Sequence, residues 1–298
     1  MVKQLNRHRL TDSVPEWEKK YVELKVNKPR IPLPIRLLDM ADSLIDKYTR
    51  PHELQTVTEI LKCAYLLFDS ERLGAQVVVI GCGPKPDMIR DLVANGLIVV
   101  GVDPVGDAIR NAREYLQGVA EVVQGTAEHI SIESHTQALV IMENVLEHVD
   151  SVSLCLSEAY RLLKPGGVLF VRTTNRYRFS FTGTNWEFKK RFFNWFPRIV
   201  KESYVFDQLH YRPELAHYSP RPAVHWFNFP DLCDYGREAG FARFYSPYDL
   251  LYLTEPKDIS AWRFRLRHWY HRNPWWRALA ISQMNGDIFM WKRADFSL

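Results

Sequence analysis

The sequence predicts an α/β protein built on a mostly parallel β-sheet with helices on both faces. Two observations predict this class. From residue 75 onward, short apolar runs alternate with segments of helical periodicity, and strands that are apolar throughout are typical of parallel sheets buried on both faces. At 298 residues the chain is also long enough to bury a large core.

The elements follow in chain order. Residues 1–34 are polar and rich in proline, and apolar residues at helical spacing then predict two helices, over about 37–45 and 54–64. The predicted strands are QVVVIG (76–81), LIVVGVD (97–103), AEVVQG (120–125), QALVIM (137–142), GVLFVRTT (167–174), a segment at 241–246 and GDIFMWKR (286–293). The predicted helices between them cover about 86–96, 106–116, 151–163 and 230–239.

Two aromatic-rich inserts interrupt this alternation, at 176–228 and 256–284. The second insert predicts a helix that begins near Asp258 and ends at Asn273-Pro274. One arc of this helix carries the apolar and aromatic residues Ile259, Trp262, Leu266, Trp269 and Tyr270. Arginines flank this arc. Such a helix can lie on a membrane surface, or it can pack on the sheet with its arginines at the rim.

Composition excludes several classes of protein. A net charge of +4 with dispersed Lys and Arg argues against a dedicated nucleic-acid binder. The four cysteines lie far apart without a CxxC pair, which argues against structural zinc or a disulfide framework and fits a reducing compartment. The amino terminus lacks a signal-peptide core, and no apolar run is long enough to span a membrane. We therefore expect a cytoplasmic protein, with membrane contact only at its periphery.

The stretch VVVIGCGPKPD (77–87) predicts a nucleotide-binding turn. Gly81 and Gly83 lie between a strand and a helix, and Asp103 ends the next strand twenty positions after Gly83. Glycines let the backbone approach a ligand, the helix amino terminus favours an anion, and the carboxylate accepts from ribose hydroxyls. Rossmann dehydrogenases share this pattern, and a tight turn without a ligand is a further alternative.

Two further motifs decide between these alternatives. IMENVLEHVD (141–150) follows the fourth strand, and EAYRLLKPGGVLFVRTTN (158–175) leads into the fifth. Together with GCG and GVDP, they resemble class I S-adenosylmethionine-dependent methyltransferases, especially the methyltransferase type 11 and ubiquinone O-methyltransferase-like branch. The resemblance implies a Rossmann-like, doubly wound sheet of seven strands with the last strand antiparallel, and S-adenosyl-L-methionine as cofactor. It makes 71–298 the cofactor-binding domain, with 1–70 as an arm and helices that cap its pocket.

The resemblance also assigns cofactor contacts. It places Gly81, Cys82 and Gly83 along the methionine end of the cofactor, and Asp103 at the ribose hydroxyls. Pro104 would flank the adenine, and the edge of the adenine ring would contact Thr126, Ala127 and Glu128. Glu143 and Asn144 would lie beneath the sulfonium. Lys85 stands where a third glycine is usual, at the amino terminus of a predicted helix. There it could face the methionine carboxylate, or it could be a solvated lysine.

Metal binding is not expected. In ubiquinone-type relatives a Glu three positions before Glu147 would join Glu147 and His148 on one helical face, but here that position is Asn144. Because the Asn144 amide is a weaker metal ligand than a carboxylate, this segment is not expected to hold a metal.

The methyl acceptor is expected near the chain that follows the fifth strand. His210, His217 and His225, all in the first insert, are the candidates for the base that removes an acceptor proton. Two functions remain open. One is O-methylation of a small-molecule, sugar or lipid-linked acceptor, with possible peripheral membrane contact through 256–284. The other is a non-catalytic, methyltransferase-like binding or scaffold protein.

Overall fold

The computed structural model describes residues 56–68, 76–173, 175, 192–204, 225–253, 265, 268–269, 271–283 and 286–294. The chain separates into two compact units, Met1–Tyr48 with Phe196–Pro222 and Thr49–Trp195 with Ala223–Leu298. These units divide the chain at other positions than residue 70, and the functional division at that residue stays a prediction. Apart from residues 196–204, which belong to the smaller unit, all described residues lie in the larger one.

The larger unit is built on a seven-stranded sheet with the order β3-β2-β1-β4-β5-β7-β6. Its strands are β1 (Gln76–Ile80), β2 (Ile98–Asp103), β3 (Glu121–Gln124), β4 (Gln137–Glu143), β5 (Leu163–Arg172), β6 (Arg243–Tyr245) and β7 (Ile288–Trp291). Strands β1 to β5 pair in parallel, and β7 runs antiparallel to both β5 and β6. The predicted sheet with its antiparallel last strand is confirmed.

The helices begin and end close to the predicted positions where capping residues mark them. They are α1 (Val57–Tyr65), α2 (Asp87–Ala94), α3 (Gly106–Leu116), α4 (Val152–Leu162), α5 (Arg198–Ser203) in the smaller unit, α6 (Phe229–Glu238), α7 (Pro247–Leu253) and α8 (Pro274–Gln283), with a 3₁₀ turn at Phe193–Trp195. Thr56 and Asn228 each form a capping box that starts a helix, α1 and α6 respectively. None of the described helices is long and apolar enough to cross a membrane.

The core lies on both faces of the sheet because alternate residues of each strand point to opposite sides. On one face Ile80 and Met142 pack with α4 and α6. On the other face Val79 and Ile141 pack with α1, α2 and α3. The strands are therefore buried on both sides, as their continuous apolar runs predict, and the helices that cover them make the sheet doubly wound.

Apart from shifts of one or two residues, the structure differs from the sequence prediction at the start of β5 and around α7 and α8. β5 begins at Leu163, four residues early, because Leu163 pairs with Gln137 before a register shift in β4. Helices α7 and α8 are additional to the predicted elements, and the expected helix stop at Asn273-Pro274 is also the start of α8. The Asn273 side chain accepts from the backbone N–H groups of Trp275 and Trp276 at 3.1 and 3.4 Å, which caps that helix, and Pro274 fits its first position.

Candidate functional site

The strand order reverses between β1 and β4, and the region outside the carboxyl ends of these two strands is called the crevice below. The chain leaves β1 toward β2 on one side, and β4 lies on the other side. In open α/β sheets, ligands bind at such a point of reversal, outside the carboxyl ends of the strands. Polar and glycine residues follow the strands here, and strand alternation puts Asp103 and Glu143 on the sheet face that α1, α2 and α3 cover.

The glycine turn after β1 is held closely to the end of β2. The backbone N–H groups of Gly81 and Cys82 both donate to the carbonyl of Val102, at 2.7 and 3.1 Å. Gly81 and Gly83 have φ values of +71° and +66°, which are unfavourable for residues with a Cβ. A Cβ at Gly83 would meet no atom within 4 Å, so this glycine borders open space.

Asp103 is the best-defined polar side chain of the crevice. Its Oδ2 accepts from the Gly83 N–H at 3.0 Å and its Oδ1 from the Val105 N–H at 2.9 Å, and the residue is buried. A carboxylate has about four acceptor sites, so two remain for a ligand. A ribose with two neighbouring hydroxyls would find acceptors here, and its binding at Asp103 stays a prediction.

Cys82 lies between the two glycines but is not a reactive thiol. Its sulfur packs where a Cβ on Gly101 would come within 3.1 Å. Burial, followed by the negative charge of Asp103, raises its pKa to about 12. The thiol therefore stays protonated near neutral pH and contributes shape to the turn.

Lys85 and Pro104 are exposed at the rim of the crevice. The Lys85 carbonyl accepts from the backbone N–H of Asp87, the first residue of α2. The Pro104 carbonyl accepts from the Gln124 side chain at 3.0 Å. Both residues are near the ends of β1 and β2, and their contacts to a cofactor stay predictions.

Thr126, Ala127 and Glu128 form a turn after β3, in which Thr126 bridges to His129. Ala127 is buried and Thr126 is exposed. Glu128 Oε1 accepts from the backbone N–H groups of Asp150 and Ser151, at the start of α4. Burial acts to raise the Glu128 pKa, but these N–H donors outweigh it and hold the pKa below its ordinary value. Glu128 thus has a structural partner, and its contact with adenine stays a prediction.

A row of three charged residues crosses the ends of β4, β5 and β7. Arg172 Nη1 donates to Glu143 Oε1 at 2.7 Å, and its Nε and Nη2 lie 3.1–3.3 Å from the Asp287 carboxylate. Burial raises the pKa of Glu143, and the neighbouring Arg172 opposes that rise. Sequence reasoning missed Arg172 and Asp287. Their only signal in the sequence is that Arg172 ends one apolar strand, β5, and Asp287 directly precedes another, β7.

The segment after β4 is a turn. Asn144 has a φ of +52° and donates its backbone N–H to Arg172, which extends the pairing of β4 with β5 before the chain reverses. Because residues 145–148 form a turn and not a helix, Glu147 and His148 do not share a helical face. Within the described ranges, no group of three or more His, Cys, Asp or Glu residues could hold a metal ion.

The structure describes one of the three candidate histidines. His210 and His217 lie outside the described residues. His225 is tied to the segment after β4: its backbone N–H donates to Glu147 and its Nε2 lies 3.0 Å from the Val149 carbonyl. A carbonyl only accepts, so Nε2 carries the hydrogen and Nδ1 is the nitrogen left to take a proton. The role of His225 as a base stays a prediction.

The comparison with family models matches this region of the chain. A model for a methyltransferase domain covers residues 78–171, from β1 to β5. Residues 78–171 are a methyltransferase domain. The methyltransferase domain contains the glycine turn, Asp103 and Glu143. The family implies S-adenosyl-L-methionine as the methyl donor.

Curated relatives match about a third of the chain. The ubiquinone biosynthesis O-methyltransferase of Rhizobium etli is 35% identical over 109 residues, which cover 35% of this chain and 42% of the relative. The mitochondrial ubiquinone biosynthesis O-methyltransferase of Rattus norvegicus is 28% identical over 115 residues, with 36% and 33% covered. The match spans less than half of the length of either relative.

Solved structures of methyltransferases also align with part of this chain. A S-adenosylmethionine-dependent methyltransferase from Thermotoga maritima aligns over 70% of this chain and 79% of its own, with 21% identity and a TM-score of 0.42. One from Methanosarcina mazei aligns over 75% and 95%, with 17% identity and a TM-score of 0.45.

Proposed function

We propose that the protein is an S-adenosylmethionine-dependent methyltransferase that methylates an oxygen of a small-molecule, sugar or lipid-linked acceptor. The observation that carries the proposal is Asp103. Its two oxygens are oriented by the N–H groups of Gly83 and Val105, and each retains acceptor capacity toward the crevice. The choice of oxygen as the methylated atom rests on the likeness to the two O-methyltransferases, which covers about a third of this chain.

The protein's own residues have separate tasks in this proposal. Asp103 binds the ribose hydroxyls and the positive-φ turn at Gly81 and Gly83 lets the backbone approach the ligand. When bound, S-adenosylmethionine supplies a methyl group on a positively charged sulfur. Methyl transfer needs an acceptor positioned in line with that group and, for an alcohol, a base. The candidate bases are His210, His217 and His225.

Two measurements test the proposal. Calorimetry with S-adenosylmethionine is expected to show binding at one site per chain. A homocysteine-release assay over a panel of phenol, sugar and quinol-like acceptors is expected to show turnover with at least one of them. Failure to bind the donor would refute the proposal. Donor binding without turnover on any acceptor would favour the alternative, a non-catalytic binding or scaffold protein.

Contact with a membrane surface is a second element of the proposal. Trp275 is 84% exposed and Trp269 is 51% exposed, and exposed Arg265 and Arg272 lie close to them in sequence. Exposed tryptophans with neighbouring arginines suit the interface of an anionic membrane. This surface would bring the enzyme to a lipid-linked acceptor. Ile259, Trp262, Leu266 and Tyr270, which the sequence assigns to the same helix, lie outside the described residues.

A further inference from the structure

The sheet has a pocket at its outer edge, beside β6. On one side β6 pairs with β7, and no strand that the structure describes pairs with its other side. The pocket has a volume of about 510 Å³, which is within the range of roughly 300–1,000 Å³ that small-molecule sites have. Strand β6 lies four strands away from β1, about 19 Å at a strand spacing of about 4.8 Å. The pocket is therefore separate from the crevice.

Three elements line this pocket. One face of α6 contributes Phe229, Cys233 and Arg237, which are four residues apart and therefore follow one another along the same side of the helix. Residues 242–245, which include β6, contribute the edge of the sheet. Arg277 of α8 completes the lining. The pocket thus combines apolar and aromatic surface with the side chains of arginines.

Two of these arginines are accessible to a ligand. The guanidinium carbon of Arg237 lies 5.4 Å from the ring centroid of Phe244. The ion pair of Arg237 with Asp234 in the same helix is largely exposed, and such a pair contributes little to stability, so Arg237 can contact a ligand instead. Arg243 lies over the ring of Trp291 at 5.0 Å and has no carboxylate partner in the part of the chain that the structure describes. Strand alternation places Arg243 on the sheet face opposite Phe244, so it borders the pocket from the edge of the sheet.

The third arginine, Arg277, is held in a fixed position. Its Nε and Nη2 donate to the carboxylate of Asp249 at 2.6 and 2.7 Å. Its Nη1 makes no hydrogen bond to any of the described residues. Because a guanidinium has five N–H donors, Arg277 keeps donors for a ligand while its position is set by Asp249.

The thiol of Cys233 shows which charge prevails in the pocket. Burial raises its pKa to about 11. Of the surrounding charges, Arg237 lowers this pKa more than Asp234 raises it, and Arg277 likewise outweighs Asp249. The thiol therefore stays protonated and uncharged near neutral pH. An anion placed beside it is attracted by the same two arginines.

We propose that this pocket binds an organic anion. Its phosphate or carboxylate group contacts Arg237 and Arg277, and its apolar or aromatic part lies against Phe229 and Phe244. A guanidinium presents parallel N–H donors that match both kinds of anion. A neutral apolar ligand leaves these donors without an acceptor, and a bare inorganic anion leaves the aromatic surface in water, so neither uses the whole pocket. Such a site does not depend on the proposed methyl transfer, because it shares no residue with the crevice.

Calorimetry with phenyl phosphate and benzoate tests the proposal, with phenol as the neutral comparison. We expect saturable binding of at least one of the two anions at one site per chain, and binding of phenol that is weaker by about tenfold or more. Arg237→Gln is expected to weaken binding of the anion about tenfold, because it removes a charged donor. Arg243→Gln removes a charge from the edge of the pocket only and is expected to weaken binding less.

Arg110→Gln is the matched control. Arg110 is paired with Asp107 three residues before it, as Arg237 is with Asp234, and both pairs are largely exposed. It belongs to α3, which packs on β2 and β3 at the opposite end of the sheet, so the variant is expected to leave anion affinity unchanged. Ala242→Phe fills the pocket without changing any charge and is expected to prevent binding. Melting temperatures identify a loss of folding, and Ala242→Phe decides should Arg237→Gln fail to fold.

Three results would overturn the proposal: no saturable binding of either anion, binding that Arg237→Gln and Ala242→Phe leave unchanged, or competition between the anion and S-adenosylmethionine, which would place the anion in the crevice. A protein that binds the anion but not S-adenosylmethionine would refute the proposed function alone. Sedimentation with vesicles that contain phosphatidic acid identifies the source of the anion. A loss of sedimentation in Arg237→Gln but not in Arg110→Gln identifies a lipid headgroup, and unchanged sedimentation in both identifies a soluble compound.

Discussion

At the scale of single residues, Asp103 is the side chain on which donor binding depends most. Asp103→Asn replaces one carboxylate oxygen, which accepts hydrogen bonds, by an amide NH₂ group, which donates them. The ribose hydroxyls of the donor then lose an acceptor. Hydrogen bonds to charged groups contribute about 1.5–3 kcal/mol each. We expect the Kd for S-adenosylmethionine to rise more than tenfold, as measured by calorimetry. S-adenosylhomocysteine shares the ribose and is expected to weaken by the same factor.

Asp107 provides the control for Asp103. It is an exposed aspartate in the first turn of α3, and its partner is Arg110 of the same helix. Asp107→Asn changes the net charge by the same amount and is expected to leave donor affinity unchanged. Equal affinities for Asp103→Asn and the unchanged protein would contradict the ribose assignment.

Gly81 is a second residue whose substitution is expected to have a clear effect, in this case on stability. An alanine there would be strained at a φ of +71°, and its Cβ would overlap the Cγ2 of Val145. Gly96 has a similar φ of +83° but no atom within 4 Å of a new Cβ. We expect Gly96→Ala to cost about 1–2 kcal/mol of unfolding free energy through strain alone and Gly81→Ala to cost more, as measured by urea unfolding.

The difference between these two glycine variants isolates the steric overlap. Adding Val145→Ala to Gly81→Ala removes the overlapping methyl group, so the pair is expected to lose less stability than the two single changes summed. Additive losses in the double variant would show that backbone strain alone makes Gly81 necessary.

The sequence could predict the site residues whose signal is local. Gly81, Gly83 and Asp103 lie within 22 positions of one another and belong to one strand–turn–helix–strand unit, so their spacing predicts a nucleotide-binding turn. Arg172 and Asp287 are 115 positions apart. Their meeting depends on β7 inserting beside β5 in a defined register, and no local pattern specifies that register. Glu143 was assigned to the donor, but its partners come only from the fold.

At the scale of elements, the pair Asp249–Arg277 connects α7 to α8. Arg277 donates to both oxygens of Asp249 at 2.6 and 2.7 Å, and Asp249 also accepts from the backbone N–H and hydroxyl of Ser246, which starts α7. Burial acts to raise the Asp249 pKa, but the donors from Arg277 and Ser246 outweigh it and hold the pKa below its ordinary value of 3.8. The pair therefore stabilises the folded state at neutral pH.

The stability difference between the unchanged protein and Asp249→Asn is expected to depend on pH. At pH 7 the variant leaves Arg277 without its carboxylate and is expected to lose about 1–3 kcal/mol of unfolding free energy. Because the folded-state pKa is depressed, the stabilisation is complete above about pH 4–5 and declines as the pH falls from the unfolded value through the folded one. Urea unfolding of both proteins between pH 3 and pH 7 measures the difference.

An exposed ion pair serves as the comparison for Asp249. Asp234 contacts Arg237 in the same helix, α6, with both side chains largely exposed. Asp234→Asn is expected to change the unfolding free energy by less than about 1 kcal/mol. A pH-independent difference for Asp249→Asn would mean that its carboxylate is not what connects the two helices.

Elements with strong periodicity were predicted, and elements defined by their neighbours were not. β1, β2 and β4 have central apolar runs that are largely buried on both faces, so these runs identify the strands. The helix α8 begins at Asn273-Pro274, a dipeptide that can either end a helix or start one. The hydrogen bonds from the N–H groups of Trp275 and Trp276 to the Asn273 side chain show that it starts one here. β6 is three residues long, too short for its pattern to set its limits.

At the scale of the whole molecule, the distribution of exposed tryptophan predicts how the protein meets a lipid surface. Trp275 is 84% exposed near Arg272, and Trp195 is 59% exposed in the 3₁₀ turn Phe193–Trp195 of the first insert. The proposed membrane contact uses the first of these tryptophans, since it belongs to the basic, aromatic insert at 256–284. Trp195 then serves as a tryptophan of similar exposure elsewhere in the same compact unit.

Sedimentation with vesicles measures this contact. Burying a large apolar side chain is worth about 1.5–3 kcal/mol, so Trp275→Ser is expected to reduce the partition coefficient onto phosphatidylserine-containing vesicles roughly tenfold or more. Trp195→Ser is expected to leave it unchanged. Because the arginines add attraction to anionic lipid, binding is also expected to fall with added salt and on vesicles of phosphatidylcholine alone. If Trp195→Ser and Trp275→Ser reduce binding equally, the attraction is a general property of exposed tryptophans. If the unchanged protein binds neither vesicle, the acceptor reaches the enzyme through solution, and Trp275 needs another explanation.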